Sequence, residues 1–249
     1  MPVWLEAGLW GLLAGGALVI GALIAWFAKV PRPVVAAVMA FGAGVLISAL
    51  AFDLVDEAET KGGLGATAAG FLSGALVYVA ANTILARRGA RHRKRSGDQQ
   101  PSEDESAGSG AAIAIGALLD GIPESVVLGL SLLGGQGVGV AVLAAIFISN
   151  VPEGLSSAAG MKHAERPAGY VFGVWGGIAV ASGAAALMGN LLLDGAPATT
   201  IAVITAIAAG AILAMVADTM VPEAFERTHA LTGLITAVGF LTAFSLERL

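Results

Sequence analysis

Hydrophobic residues run through this chain in long blocks separated by short polar connections. Eight blocks contain about 20 mostly apolar residues each, the length that a helix needs to cross the hydrocarbon core of a bilayer. The blocks do not alternate polar and apolar positions, as the strands of an outer-membrane barrel would. The pattern predicts an all-α integral membrane protein whose eight transmembrane spans lie at residues 8–28, 34–52, 66–86, 111–133, 138–160, 168–190, 198–217 and 230–246.

The composition excludes a soluble enzyme and a disordered chain. Hydrophobic residues make up 57% of the 249 residues and charged residues 12%, about half the charged share of a soluble domain. Mean hydropathy is +0.83. The 35 glycines suit close helix packing in lipid, where small residues let backbones approach, and such faces would also permit a homodimer. We expect one transporter domain over residues 1–249.

The basic residues predict the orientation. Eleven of the 13 Lys and Arg residues lie in connections after odd-numbered spans, and an excess of Lys and Arg marks the cytoplasmic side. Both termini are therefore expected outside a plasma (inner) membrane. The long connection 87–110 holds a basic block at 87–95 and is rich in Ser, Gly and Gln, which predicts a flexible cytoplasmic loop. We expect the basic block to be a solvated anchor, with contact to anionic lipid as the alternative.

An internal repeat points to transport. The sequence GIPES at 121–125 in span 4 aligns with NVPEG at 150–154 in span 5, and spans 2 and 7 share a looser pattern. Under the predicted topology, each pair runs in opposite directions. Inverted repeats with proline-interrupted helices are typical of secondary transporters. The repeat predicts a 3+2+3 arrangement of the spans.

Three carboxylic acids lie deep inside the spans, namely Asp120, Glu124 and Glu153. A charge at that depth costs about 2.5–3.5 kcal/mol on insertion scales. Since no Lys, Arg or His lies inside any predicted span, we expect bound protons or metal cations to neutralise the acids. Asp53 and Asp218 lie near span ends and are pathway or secondary candidates, with capping in interfacial water as the alternative.

The three acids are predicted to share one site. Spans 4 and 5 are joined by about four residues, so we expect antiparallel neighbours with Asp120 level with Glu153 to within about 3 Å. Prolines at 123 and 152 free two backbone carbonyls. Carboxylate, amide and carbonyl oxygens make a site for a divalent cation. The predicted ligands are Asp120, Glu124, Asn150 and Glu153, and the predicted pathway or secondary positions are Ser149 and Ser125.

At these residues the chain resembles the ZIP family of divalent metal transporters. The likeness rests on DGIPES at 120–125 followed by LGLSL at 128–132, and on SNVPEG at 149–154; FGAGVLISAL in span 2 and Pro-Glu-Ala after span 7 extend it. The resemblance implies eight helices, outside termini, a variable loop between helices 3 and 4, and metal ligands on helices 4 and 5. It also implies transport of zinc first, with Mn or Fe(II) close behind, toward the cytoplasm.

The chain departs from the family's motifs at several ligands. Asp120 stands where the family commonly has His, Gly121 replaces a ligating Asn, and Ser149 replaces the His of helix 5. Span 6 has no acidic residue, and the loop at 87–110 has no histidine cluster. These departures imply one metal site rather than two. Because carboxylate and amide ligands suit harder ions than imidazole or thiolate, we expect weaker discrimination in favour of zinc.

Other functions stay open. A proton-linked transporter of another solute would use the acids as a relay, and a non-transporting relative would keep only the fold. An enzyme is not expected, because the spans contain no His or paired base that would activate a nucleophile. We predict divalent metal and the lipid bilayer as partners, with no resident cofactor and no nucleic acid.

Overall fold

The computed structural model describes residues 1–96, 98–133 and 138–248. These residues form helices and connections without a strand, which confirms the all-α prediction. The helices are α1 (Val3–Phe27), α2 (Arg32–Ala49), α3 (Val55–Leu85), α4 (Ser109–Ser131), α5 (Val140–His163), α6 (Ala168–Leu193), α7 (Ala198–Met215), α8 (Val221–Thr228) and α9 (Thr232–Glu247). Three π-helical turns, Leu50–Leu54, Ala86–Ala90 and Val216–Met220, and a 3₁₀ turn, His229–Leu231, extend or join them.

The described residues contain six helical stretches that are long and apolar enough to cross a membrane. Their outer faces carry large exposed apolar side chains, for example Leu13 on α1, Leu76 on α3 and Leu241 on α9. A soluble monomer rarely exposes so much apolar surface. Length and surface together indicate a membrane protein.

Two of the six stretches are longer than one crossing requires. Arg32–Ala90 has 59 residues and Ala198–Leu246 has 49, and 59 residues of straight helix would extend about 90 Å. The first is interrupted at Gly63, whose φ of 75° and ψ of 162° belong to a region that essentially only glycine adopts. The second is interrupted at His229, where φ is 43°. Each long stretch contains two of the predicted spans.

The helices pair as two related sets. In one set α1 packs on α5 and α2 packs on α9, and in the other α6 packs on α4 and α7 packs on α3. The two sets meet where α1 packs on α6. Glycines mark the crossings of α2 with α9 and of α7 with α3. A Cβ on Gly44 would lie 1.9 Å from the Thr236 oxygen, and one on Gly210 would lie 1.9 Å from the Phe71 oxygen. The contacts made by α1 and α2 are thus matched by those of α6 and α7.

The close packing predicted between spans 4 and 5 is not observed. α4 packs mainly on α6, where a Cβ on Gly129 would lie 2.2 Å from the Ala186 oxygen, and α5 packs on α1, where one on Gly154 would lie 2.2 Å from the Leu18 oxygen. α4 and α5 touch over only a short stretch. The glycine crossings therefore hold each helix to a different partner. The predicted link at 134–137 lies outside the described residues.

Candidate functional site

The three intramembrane acids are buried on the two proline-containing helices. Asp120 and Glu124 of α4 are each 1% exposed, and Glu153 of α5 is 3% exposed. Both helices continue through their prolines. Asp120 and Glu124 are four residues apart on one helical face, and Lys94 lies within 3.4 Å of both Asp120 and Glu153. The predicted acids are therefore brought together.

Asp120 is the most fully bonded of the three. Arg93 donates to it twice, from Nε to Oδ2 at 2.9 Å and from Nη2 to Oδ1 at 2.8 Å. The Tyr78 hydroxyl of α3 donates to Oδ1 at 2.6 Å, and Arg93 also donates to the Asn82 oxygen at 2.7 Å. A two-point guanidinium–carboxylate pair fixes both distance and orientation. Asp120 is held in place by α3 and by the connection that follows it.

Lys94 joins the two helices through their acids. Its Nζ lies 2.9 Å from Glu153 Oε1 and 3.4 Å from Asp120 Oδ2, as charge pairing without the alignment of a hydrogen bond. Glu124 has no such partner within the described residues: its Oε1 is buried and makes no hydrogen bond. A buried, unbonded carboxyl oxygen costs about 1–3 kcal/mol or more. The site thus holds three carboxyl groups against two cations.

The source of these cations corrects the sequence analysis. Arg93 and Lys94 belong to the basic block after span 3, and they are 2% and 3% exposed. The predictions that protons or metal alone neutralise the acids, and that 87–110 is only a flexible, solvated loop, are therefore wrong for this segment. Pairing with Arg93 and Lys94 offsets part of the cost of burying the charges of Asp120 and Glu153. The available signal was a dense basic block directly after a span, in a chain with buried acids and no basic residue in any span.

The polar residues predicted beside the acids hold helix backbone in the structure. Asn150 Nδ2 donates to the Ala14 oxygen of α1 at 2.9 Å. Ser149 donates to the Ile146 oxygen at 3.0 Å, and Ser125 donates to the Gly121 oxygen at 2.7 Å. All three side chains are buried. Ser149 and Ser125 satisfy their own helices, and Asn150 fixes α5 against α1.

Asp53 and Asp218 lie in matching π-helical turns, Leu50–Leu54 and Val216–Met220, of the two long stretches. Asp53 is half-buried and Asp218 is exposed. In the described part of the chain, neither belongs to a group of three His, Cys, Asp or Glu side chains that could hold a metal ion. π-helical turns are frequent at functional sites, which keeps a pathway role for this pair as a prediction.

Glu223 and Glu226 of α8 form a second acidic pair, between the predicted spans at 198–217 and 230–246. Glu223 is 2% exposed and accepts hydrogen bonds from the backbone N–H and hydroxyl of Ser96 at 3.0 and 2.9 Å. Arg95 Nη1 donates to Glu226 at 2.8 Å and to the Pro222 oxygen at 3.1 Å. The sequence signal that could have identified this pair is Pro-Glu-Ala directly after span 7, the span whose pattern resembles that of span 2.

The far part of the same connection is anchored outside the spans. Arg166 pairs with Glu103, whose oxygens also accept from the backbone N–H groups of Gly108 and Gly110. The Arg166 hydrogen bond and these two N–H groups lower the pKa of Glu103 to about 2. Tyr170 donates to the Gly110 oxygen. The connection is therefore tied down near both ends.

The arrangement favours cations and offers oxygen ligands only. Across 1–96, 98–133 and 138–248, no three His, Cys, Asp or Glu side chains stand ready to hold a metal ion. Lys94 occupies the space between Asp120 and Glu153, so those two carboxylates face an ammonium. Chemically, the site is a cluster of acids whose negative charge is partly balanced by Arg93 and Lys94 of the connection after α3.

No protein-family model matches this chain, and no curated protein matches it. The motifs and the geometry therefore carry the functional interpretation.

Proposed function

We propose that this chain is a ZIP-like carrier that moves divalent metal cations toward the cytoplasm of a plasma (inner) membrane. Zinc comes first, with Mn or Fe(II) close behind. The observation that carries the proposal is the buried Glu124 carboxyl, whose Oε1 makes no hydrogen bond and which lies about one helical turn from Asp120. A third carboxylate beside two that are already paired leaves negative charge for a cation to neutralise.

The fold supports the proposal. The helix pairs of the two halves match as those of an inverted repeat would, and the interruptions at Gly63 and His229 favour eight spans with both termini on the same side. Carriers built from inverted repeats bind substrate near the midplane and move one repeat against the other. The acids lie on α4, which packs mainly on α6, and on α5, which packs mainly on α1, so a shift of one repeat against the other would change access to them.

Each residue has a defined part in the proposed transport. Asp120, Glu124 and Glu153 supply charge and oxygen ligands to the ion. Asn150 holds α5 on α1, with its amide oxygen as a further ligand when α5 shifts. Three carboxylates exceed the charge of a dication by one, so a proton accompanies the ion on one of them and uptake depends on pH.

One observation favours a second function. Arg93 and Lys94 neutralise two of the acids without any metal. A non-transporting relative of the same fold would keep those pairs permanently, as internal counterions. The carrier requires the pairs to open, whereas the non-transporting relative requires them to persist.

Uptake in reconstituted vesicles separates these functions. The wild type is compared with Glu124→Ala/Glu153→Ala and with Asp56→Ala/Glu59→Ala, which removes two exposed carboxylates. The carrier predicts uptake of zinc or manganese that is lost in the first variant and retained in the second. Absence of uptake of Zn, Mn, Fe(II) and Cd by correctly inserted wild type would favour the non-transporting relative.

A further inference from the structure

The segment Arg93–Ser96 rests on surfaces that have room for it. A Cβ on Gly116 of α4 would lie 2.6 Å from the Arg93 side chain, and a Cβ on Gly160 of α5 would lie 2.1 Å from the Arg95 oxygen. Any larger residue at either glycine would push the segment out of the site. Its docking is therefore matched by the shape of both proline-containing helices.

Hydrogen bonds hold the backbone of this segment. Gln100 Nε2 donates to the Arg93 oxygen at 2.9 Å and to the Arg95 oxygen at 3.1 Å. The Ser156 hydroxyl of α5 donates to the Lys94 oxygen. Three successive carbonyl groups thus have partners, and the partner of two of them is a side chain of the connection itself. A segment that merely collapsed onto the helices would leave such groups unpaired, at a cost to stability.

A second contact fixes the end of the segment to the other half of the repeat. Ser96 binds Glu223 through both its N–H and its hydroxyl, and Arg95 binds Glu226. Both acids belong to α8. The segment therefore bridges α4, α5 and α8, so docking it requires these three helices to stand in one relative arrangement.

The charges of the segment match those of the expected substrate. Arg93 and Lys94 bring two positive charges to the acids, as one divalent cation would. We propose that Arg93–Ser96 is a removable cationic plug: Lys94 and Arg93 compete with the metal for Asp120 and Glu153, and the metal binds when the plug withdraws. This inference rests on the proposed function, because it assigns the regulation of that same site.

The competition has a measurable size. If the plug is docked at least nine-tenths of the time, the apparent Kd for metal is weaker than that of the open site by about tenfold or more. Lys94→Gln keeps much of the length of the side chain and removes its charge. This substitution is expected to lower the apparent Kd for metal at least tenfold. Arg91→Gln is the matched control, because it removes one charge from the same connection at an exposed position.

The experiment uses the full chain in lipid nanodiscs, with ZnCl₂ and MnCl₂ as probes and equilibrium binding as the first measurement. The chain has no cysteine, so Ser156→Cys supplies a single thiol under the Lys94 carbonyl. Labelling with a water-soluble maleimide is expected to be slow without metal and several-fold faster with zinc. In the same thiol background, Lys94→Gln is expected to speed labelling without metal, and Arg91→Gln is expected to leave it unchanged.

A second variant tests the same proposal if Lys94→Gln does not fold. Glu223→Gln weakens the hydrogen bonds that Glu223 accepts from Ser96 without touching the three acids, so it is expected to tighten metal binding. Metal binding is the readout for this variant, because the Ser156 hydroxyl also donates to Glu223. The expected change in metal binding runs in the same direction as that of Lys94→Gln.

The outcomes separate the plug from the carrier. If the wild type binds metal and neither Lys94→Gln nor Glu223→Gln binds it more tightly, the plug is overturned and the carrier stands. If neither the wild type nor either variant binds zinc or manganese, the proposed metal site is overturned and the plug with it. Zinc-accelerated labelling together with tighter binding by the variants establishes the plug.

Discussion

Breaking the buried Arg93–Asp120 pair tests the site most simply. Arg93→Met leaves Asp120 buried with its Tyr78 hydrogen bond but without its two-point partner. Removing one member of a buried ion pair costs about 3–5 kcal/mol. In a chain of this size 1 kcal/mol shifts the melting temperature by about 2–4 °C. We therefore expect the apparent Tm of Arg93→Met to fall by about 6–20 °C.

The assay is intrinsic fluorescence from the four tryptophans during heating in detergent. The double variant Arg93→Met/Asp120→Asn should recover part of the loss, with a coupling of about 1–3 kcal/mol. The half-exposed pair Lys61–Glu57 is the control, since i,i+4 surface pairs contribute about 0.3–0.5 kcal/mol. If the buried pair gave no more coupling than this control, Arg93 would not be docked on Asp120 and the geometry of the site would be wrong.

Three further predictions follow from separate features. Gly44→Ala should lower the apparent Tm or prevent folding, because its Cβ would meet backbone at 1.9 Å, whereas Gly16→Ala, with open space around it, should leave Tm unchanged or slightly raised. Glu103→Gln should speed hydrogen exchange at the Gly108 amide, and Asp104→Asn should not. Because the pKa of Glu103 is lower in the folded state, its hydrogen bonds are fully present above the ordinary pKa of about 4.5 and are lost as pH falls toward about 2. Protection of this amide that persisted well below pH 2 would contradict the assignment. In competitive uptake Mn should inhibit zinc transport at comparable concentration, because the predicted ligands are oxygens, and an overwhelming preference for zinc would contradict this.

The helices could be predicted from sequence because lipid makes a simple demand on each span. About 20 apolar residues identify a crossing, and every predicted span lies within observed helical structure, turns included, apart from at most two residues at either end. Which helices pack against each other was harder to predict from the sequence. It depends on small residues such as Gly44 and Gly129 meeting a particular backbone, and one sequence does not say which partner helix a glycine faces.

The site was half predictable for a related reason. Asp120, Glu124 and Glu153 stand out because charge inside a span is costly, and the structure gathers them. Arg93 and Lys94 could not be assigned from span positions, because they reach the acids by a reversal of the chain after Ala90. Glu223 lies beyond the predicted end of span 7 at residue 217, so span positions did not bring it to the site. Non-local reversals of this kind leave no periodic pattern in the sequence.

The central claim is that the acids on α4 and α5 can exchange tethered cations for a divalent metal. The most direct measurement is a crystal structure of the full chain soaked in MnCl₂ or ZnCl₂, with the metal located by anomalous scattering. We predict an anomalous peak among Asp120, Glu124 and Glu153, with Lys94 displaced from between the carboxylates. Lys94 still bridging Asp120 and Glu153 at saturating metal, with no peak at the three acids, would contradict the account.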